Sequence, residues 1–118
     1  MWLLSGTPVY LAREPVDLRK SIDGLSLLVS QVLGQNPFSA QIFVFTNRRH
    51  DKLKALHYDV NGFVLYYKRL ERGRFRWPVI PTEQTVLVID YRQLQWLLSG
   101  LSIEQRQALP AVAARVVA

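Results

Sequence analysis

The residues most able to do chemistry in this chain are its cations. The stretch YKRLERGRFRWP, Tyr67 to Pro78, packs five lysines or arginines, three aromatics and one acid into twelve residues. Arginine and lysine neutralise phosphate oxygens and aromatic rings stack on bases, so this mixture suits a polyanion such as nucleic acid. Residues 48–76 carry nine cations against three acids, Asp51, Asp59 and Glu71. Elsewhere the two signs balance at six each, so the whole net charge of +6 lies in that one span. Charge segregated in this way creates a local field that an evenly basic surface lacks. The candidate nucleic-acid-binding residues are Arg48, Arg49, Lys52, Lys54, Lys68, Arg69, Arg72, Arg74 and Arg76, with Tyr66, Phe75 and Trp77 adding stacking or packing. ERGRFRWP is too short to be a readout module, so backbone contacts are expected rather than sequence-specific ones.

Catalytic chemistry has little to draw on. His50 and His57 are the only histidines. His57 falls in a predicted strand and reads as structural or surface, and His50 in a turn reads as solvated. No GxSxG, HExxH, P-loop or Rossmann glycine pattern occurs. Two-metal phosphoryl transfer needs convergent carboxylates, and the acids here have simpler roles. Asp17 and Asp90 read as helix caps, Asp59 borders a turn, and Glu71 neighbours the cations. The absence of cysteine removes disulfides and Cys-based zinc sites. No catalytic residue, metal or cofactor is expected, and the chain reads as a non-enzyme. Arg19 and Lys20 sit in a predicted first helical turn, where cations oppose the macrodipole. They read as a tolerated surface pair; the alternative is that they extend the phosphate surface or pair with Glu14, Asp17 and Asp23.

The elements that must position the cations follow from pattern. VYLAR, Val9 to Arg13, reads as an edge strand stopped by Pro15. Asp17 reads as the cap of a helix over 18–33, with Leu18, Ile22, Leu25, Leu28, Val29 and Val32 at helical spacing and Gly34 at its end. Gly24 inside that helix would allow close approach to a sheet. NPFS is a turn, IFVF (Ile42 to Phe45) a strand and NRRHD a second turn. KLKALHYDV and FVLYYKRL flank Asn61-Gly62, a strong signal for a two-residue hairpin. TVLVI, Thr85 to Ile89, is a further strand, and Asp90 caps a last helix through Gln93, Leu94, Leu97 and Leu98, ended by Gly100. Residues 102–118 are expected to form a short helix or fray, with Pro110 as an interruption.

That hairpin predicts the pairs Val60/Phe63, Tyr58/Leu65, Leu56/Tyr67 and Lys54/Arg69 on one face, the face expected under the helices. Tyr67 is then core and Tyr66 lies on the other face. Lys52, Lys54, Lys68, Arg69 and Arg72 meet at the open end, and the Arg48-Arg49 turn must lie there too. The fold expected is α+β: a small antiparallel sheet, a meander with the Asn61-Gly62 hairpin, packed with two or three helices lying side by side.

With 118 residues, 49% apolar and 20% charged, the chain suits a single domain over 1–118, its core at about 8–101 and the tail from 102 peripheral. MWLLSG is too short for a signal-peptide core, and no apolar run approaches the roughly 18 residues of a membrane span. The chain therefore reads as cytoplasmic, with no membrane partner. An edge strand such as Val9 to Arg13 could pair between copies into an oligomer.

Taken in order, VDLRKSIDGL, NPFS, IFVFTNRRHDKLKALHYDVNGFVLYYKRLERGRFRWP and QLQWLLSGL resemble the small accessory protein of insertion sequence 66 type elements, the second-open-reading-frame or TnpB-type product. The resemblance spans about residues 8–101. It implies a bacterial, cytoplasmic protein of a mobile element that supports transposition beside a separate, larger transposase holding the carboxylate active site. It carries over no catalytic residues. It is distinct from the much longer RNA-guided nucleases that share the TnpB label. Residues and resemblance together point to a non-catalytic accessory factor that binds nucleic acid, DNA ahead of RNA, through its basic end. The alternative is a protein-interaction module that docks the transposase without touching DNA, with Phe75, Arg76 and Trp77 as anchors.

Overall fold

The computed structural model describes residues 6–105. MWLLS and the tail from 106 onward, Pro110 included, lie outside the described residues. The elements in chain order are β1 (Val9–Ala12), α1 (Ile22–Gln31), β2 (Ile42–Thr46), β3 (Lys52–Asp59), β4 (Gly62–Arg69), β5 (Val86–Ile89) and α2 (Tyr91–Leu98).

The five strands form one sheet in the order β4-β3-β2-β1-β5. It is mixed rather than antiparallel. β2, β3 and β4 pair antiparallel in succession, and β5 is antiparallel to β1, but β1 and β2 run parallel. The physical cause is α1, whose crossover returns the chain to the sheet in the direction it left. β1 is therefore an interior strand between β2 and β5, not an edge. Val9 and Leu11 bury on one face and Ala12 on the other, a burden an edge strand does not carry.

The helices lie on opposite faces rather than side by side. α1 covers Phe43, Phe45 and Leu56 with Leu25 and Val29, joined by Leu33 just past its end. α2 covers Val9, Leu11, Ile42, Val44, Leu53 and Ala55 with Leu94, Leu97 and Leu98. Alternation along each strand supplies both cores, which is why β1 and β2 read as unbroken apolar runs.

Asp90 caps α2 as expected. Its carboxylate accepts from the Gln93 backbone N–H at 2.8 Å, and the Gln93 side chain accepts from the Asp90 N–H at 3.0 Å, a reciprocal capping box. At the other end Gly100 takes a φ of +80°. There Leu101 and Gly100 donate to the carbonyls of Trp96 and Leu97, closing the helix. Asp90→Ala should cost about 1 kcal/mol, seen as a fall of roughly 4–8 °C in the midpoint of a calorimetric melt.

Asp17 does not cap α1, which begins four residues later than expected. The Asp17 carboxylate is held by its neighbour Arg19 in a tight local turn, and Ser21 is the N-cap residue, with no side-chain capping bond. Short-range side-chain bonds of this kind compete with helix initiation. Gly24 does not admit the sheet either: a Cβ there would meet the Lys20 side chain at 3.1 Å.

The hairpin register also differs from the one expected. Asp59 pairs with Gly62, Tyr58 with Phe63, Leu56 with Leu65, Lys54 with Tyr67 and Lys52 with Arg69. The loop residues are thus Val60 and Asn61, not Asn61 and Gly62. Val60 takes the positive φ, +54°, and Asn61 N–H donates to the Asp59 carbonyl across it. A β-branched residue is costly there, so packing has overridden the turn signature. Tyr58 and Phe63 meet edge-on at 5.1 Å, and Phe38 joins both at 5.2 and 5.3 Å. The shift is by two residues, so every side chain keeps its face.

Candidate nucleic-acid interface

Strand pairing sends the C-terminal ends of β1, β2 and β4 and the start of β3 to one end of the sheet. Three loops leave from there. Residues 13–21 follow β1, residues 47–51 join β2 to β3, and residues 70–80 follow β4.

The middle loop is built around Asn47. Its side-chain oxygen accepts from the backbone N–H groups of Asp51 and Lys52, both at 3.1 Å, and its amide donates to the Asp51 carboxylate at 2.6 Å. That bond is the main reason the Asp51 carboxyl sits below the usual carboxylate range, with Arg49 and Lys52 adding to it. Thr46 fastens the base of the turn by donating to the Lys52 carbonyl at 3.0 Å. His50 closes it with a φ of +59°. Arg48 and Arg49 are carried exposed on the tip. Asn47→Ala should cost about 2 kcal/mol, because two part-buried backbone donors lose their acceptor. A melt should fall by roughly 10 °C.

The other two loops are tied to this one by main-chain bonds. Val16 N–H donates to the Thr46 carbonyl at 2.9 Å, Leu70 N–H to Asp51 at 2.8 Å and Phe75 N–H to His50 at 2.7 Å. Arg72 and Arg74 are exposed on the third loop, which turns at Gly73. Arg69 is also exposed, and its guanidinium donates to Glu71 at 2.9 Å, a pairing that raises its pKa. In the first loop Arg19 grips Asp17 with two nitrogens, Nε at 3.0 Å and Nη2 at 2.7 Å. The grip holds the Asp17 carboxyl well below its ordinary range and raises Arg19.

Between the first and second loops lies an open groove of about 660 Å³. Arg19, Arg48, Arg49, Lys52 and Tyr67 line it together with Asp17, four cations against one carboxylate. Among the described residues no carboxylate lies within ion-pair distance of Arg48, Arg49, Lys52, Arg72 or Arg74.

The structure does not gather all the candidates. Lys54 turns toward the end of the first loop, just before α1, where its ammonium donates to the Lys20 carbonyl at 2.9 Å and lies 5.3 Å from the centre of the Tyr67 ring. Lys68 points to the opposite face and donates to the Leu98 carbonyl at 2.8 Å, where a cation offsets the negative end of α2. Arg76 lines a separate groove with Val79 and Val88. Phe75, 2% exposed, is core and cannot stack on a ligand. Trp77 is half-buried, its indole N–H donating to the Ala12 carbonyl at 2.9 Å, and Tyr66 packs against the α2 core.

Two residues that do line the groove differ from the preferred sequence reading. Tyr67, expected as core, is 51% exposed, because the register sets it opposite Lys54 beyond the reach of α1. Arg19, read first as a tolerated surface cation, stands on the groove wall and pairs with Asp17, as the alternative reading had it. The signal for it was the Asp17-x-Arg19 spacing, which suits a local side-chain turn. His57 is buried, its ring 3.3 Å from the Gln41 carbonyl. Among the described residues no group of three His, Cys, Asp or Glu could hold a metal ion, and no helix is long and apolar enough to cross a membrane.

Comparison with known proteins places the chain. It is 40% identical over 93 residues to "Uncharacterized protein y4hO" of Sinorhizobium fredii (strain NBRC 101917 / NGR234), covering 79% of each chain. It is 34% identical over 96 residues to "Uncharacterized protein y4jC" of the same organism, covering 81% of this chain and 80% of the relative. No solved structure matches. The family model described as "IS66 Orf2 like protein" matches residues 7–108. The chain therefore belongs to the IS66 Orf2-like family, accessory proteins of insertion sequences rather than a known catalytic family.

Proposed function

We propose that this accessory protein supports DNA transposition by holding nucleic acid in the basic groove at the C-terminal ends of β1 and β2. One observation carries the reading: Arg48, Arg49 and Lys52 share a concave surface on which no carboxylate among the described residues pairs with them. Like charges held this close repel, and a phosphate chain relieves that repulsion. Arg72 and Arg74 extend the positive field beyond the groove, on a loop tied to the same turn. The protein's part is to bind and position, and the chemistry of strand transfer belongs to the separate transposase. Anisotropy titrations with element-end DNA at several salt concentrations test this. Log affinity should fall linearly with log salt, with a slope of about −0.9 per phosphate neutralised on duplex or about −0.7 on a single strand. A flat salt response would remove the reading.

A second reading, docking of the transposase, draws on a different place. Arg76 stands in the other groove beside Val79 and Val88, both exposed apolar residues, along the outer strand β5. Arginine among exposed apolar side chains suits a protein contact. Capture of purified transposase in the absence of DNA, abolished by Arg76→Ala together with Val88→Asp, would favour it.

A further inference from the structure

We infer that the basic groove takes an unpaired strand rather than a duplex, with Tyr67 and the Arg19 guanidinium as platforms for its bases; this deepens, and rests on, the nucleic-acid reading above. The groove divides its chemistry between two kinds of group. Arg48, Arg49 and Lys52 offer charge that no carboxylate among the described residues ion-pairs, the property that holds phosphates. Arg19 offers less of it, because its charge is matched by Asp17, which takes the Nε and Nη2 edge of the guanidinium. Its side chain is nevertheless 91% exposed and lines the groove, so what it presents to a ligand is a fixed plane. Guanidinium planes stack on bases much as aromatic rings do.

Tyr67 is the second plane. The Lys54 ammonium, itself anchored on the Lys20 carbonyl, lies over its ring 5.3 Å from the centre, and the residue stays 51% exposed. The exposed aromatic ring at the far end of the sheet, Phe38, is engaged with Tyr58 and Phe63 instead. A duplex hides its base faces within its own stack, and only by unpairing could it use these platforms. An unpaired strand offers phosphates and base faces together, the combination this groove meets.

The test is equilibrium binding of the full chain to labelled oligo(dT), oligo(rU) and a random-sequence duplex of the same length. Either single strand should bind more tightly than the duplex, and the two single-stranded probes identify the preferred sugar. Tyr67→Leu should weaken single-strand binding about tenfold with little change in the salt slope, while Tyr67→Phe should keep it. Arg19→Lys retains the charge and loses the plane on an exposed site, so it should weaken single-strand binding without affecting folding. Duplex binding as tight as that of either single strand, or single-strand affinity unmoved by both Tyr67→Leu and Arg19→Lys, overturns the proposal and leaves the nucleic-acid reading standing. Absence of salt-dependent binding to all three probes overturns that reading instead.

Discussion

Phe75→Ala is expected to lower the free energy of unfolding by about 3–5 kcal/mol, shifting the urea midpoint down with an unchanged slope. The ring is 2% exposed and belongs to the α2-side core with Val44, Leu53, Ala55 and Leu97. Its removal leaves a cavity that the sheet cannot close. A loss of that size is a large share of the roughly 5–15 kcal/mol that typical domains possess. The same residue sits between Arg74 and Arg76 in the most basic stretch of the chain, where sequence alone offers it as a stacking ring. The two roles separate cleanly. A stacking Phe75 would leave the urea midpoint alone and cost affinity, whereas a core Phe75 moves the midpoint first.

Arg48→Ala with Arg49→Ala should do the reverse. Both side chains are exposed on a turn held by Asn47, Thr46 and main-chain bonds, none of which the substitutions touch. Stability should stay within about 0.5 kcal/mol of the parent. Nucleic-acid affinity should drop roughly tenfold or more at moderate salt, since each charge-assisted bond to a phosphate contributes about 1 kcal/mol or more. The salt slope should shrink by about one unit per arginine removed, nearly two in all. The pair thus reports on the groove through two independent readings, affinity and slope. A double variant that binds with parental slope would place the phosphates elsewhere.

Much of this fold is legible in the residues, and the exceptions share a cause. The strands Ile42–Thr46, Lys52–Asp59 and Gly62–Arg69 and the Asp90-Gln93 capping box are set by local pattern, and local pattern shows them. The place of β1 is not local. VYLA reads the same whether it lies at an edge or in the middle, and only its pairing with β2 and β5 decides. The hairpin register is likewise settled by a side chain distant in sequence, Phe38, which packs on Tyr58 and Phe63 beside the turn. Convergence of the turn cations at one end was legible from strand direction alone. What alternation could not show was the reach of α1, and so which of Tyr66 and Tyr67 remains open. Nor could it show that Lys68 is taken up by the end of α2. Charge counted along a sequence overstates charge offered to a ligand whenever the fold finds its own use for a cation.

The three main-chain bonds that join the loops, Val16 to Thr46, Leu70 to Asp51 and Phe75 to His50, carry a further implication. They make the spacing between successive positive tips a property of the peptide skeleton, so replacing a side chain removes a tooth without altering the pitch of the comb. Lengthening a loop by a single residue would do what no point substitution can, throwing the teeth out of step with a regularly charged polymer.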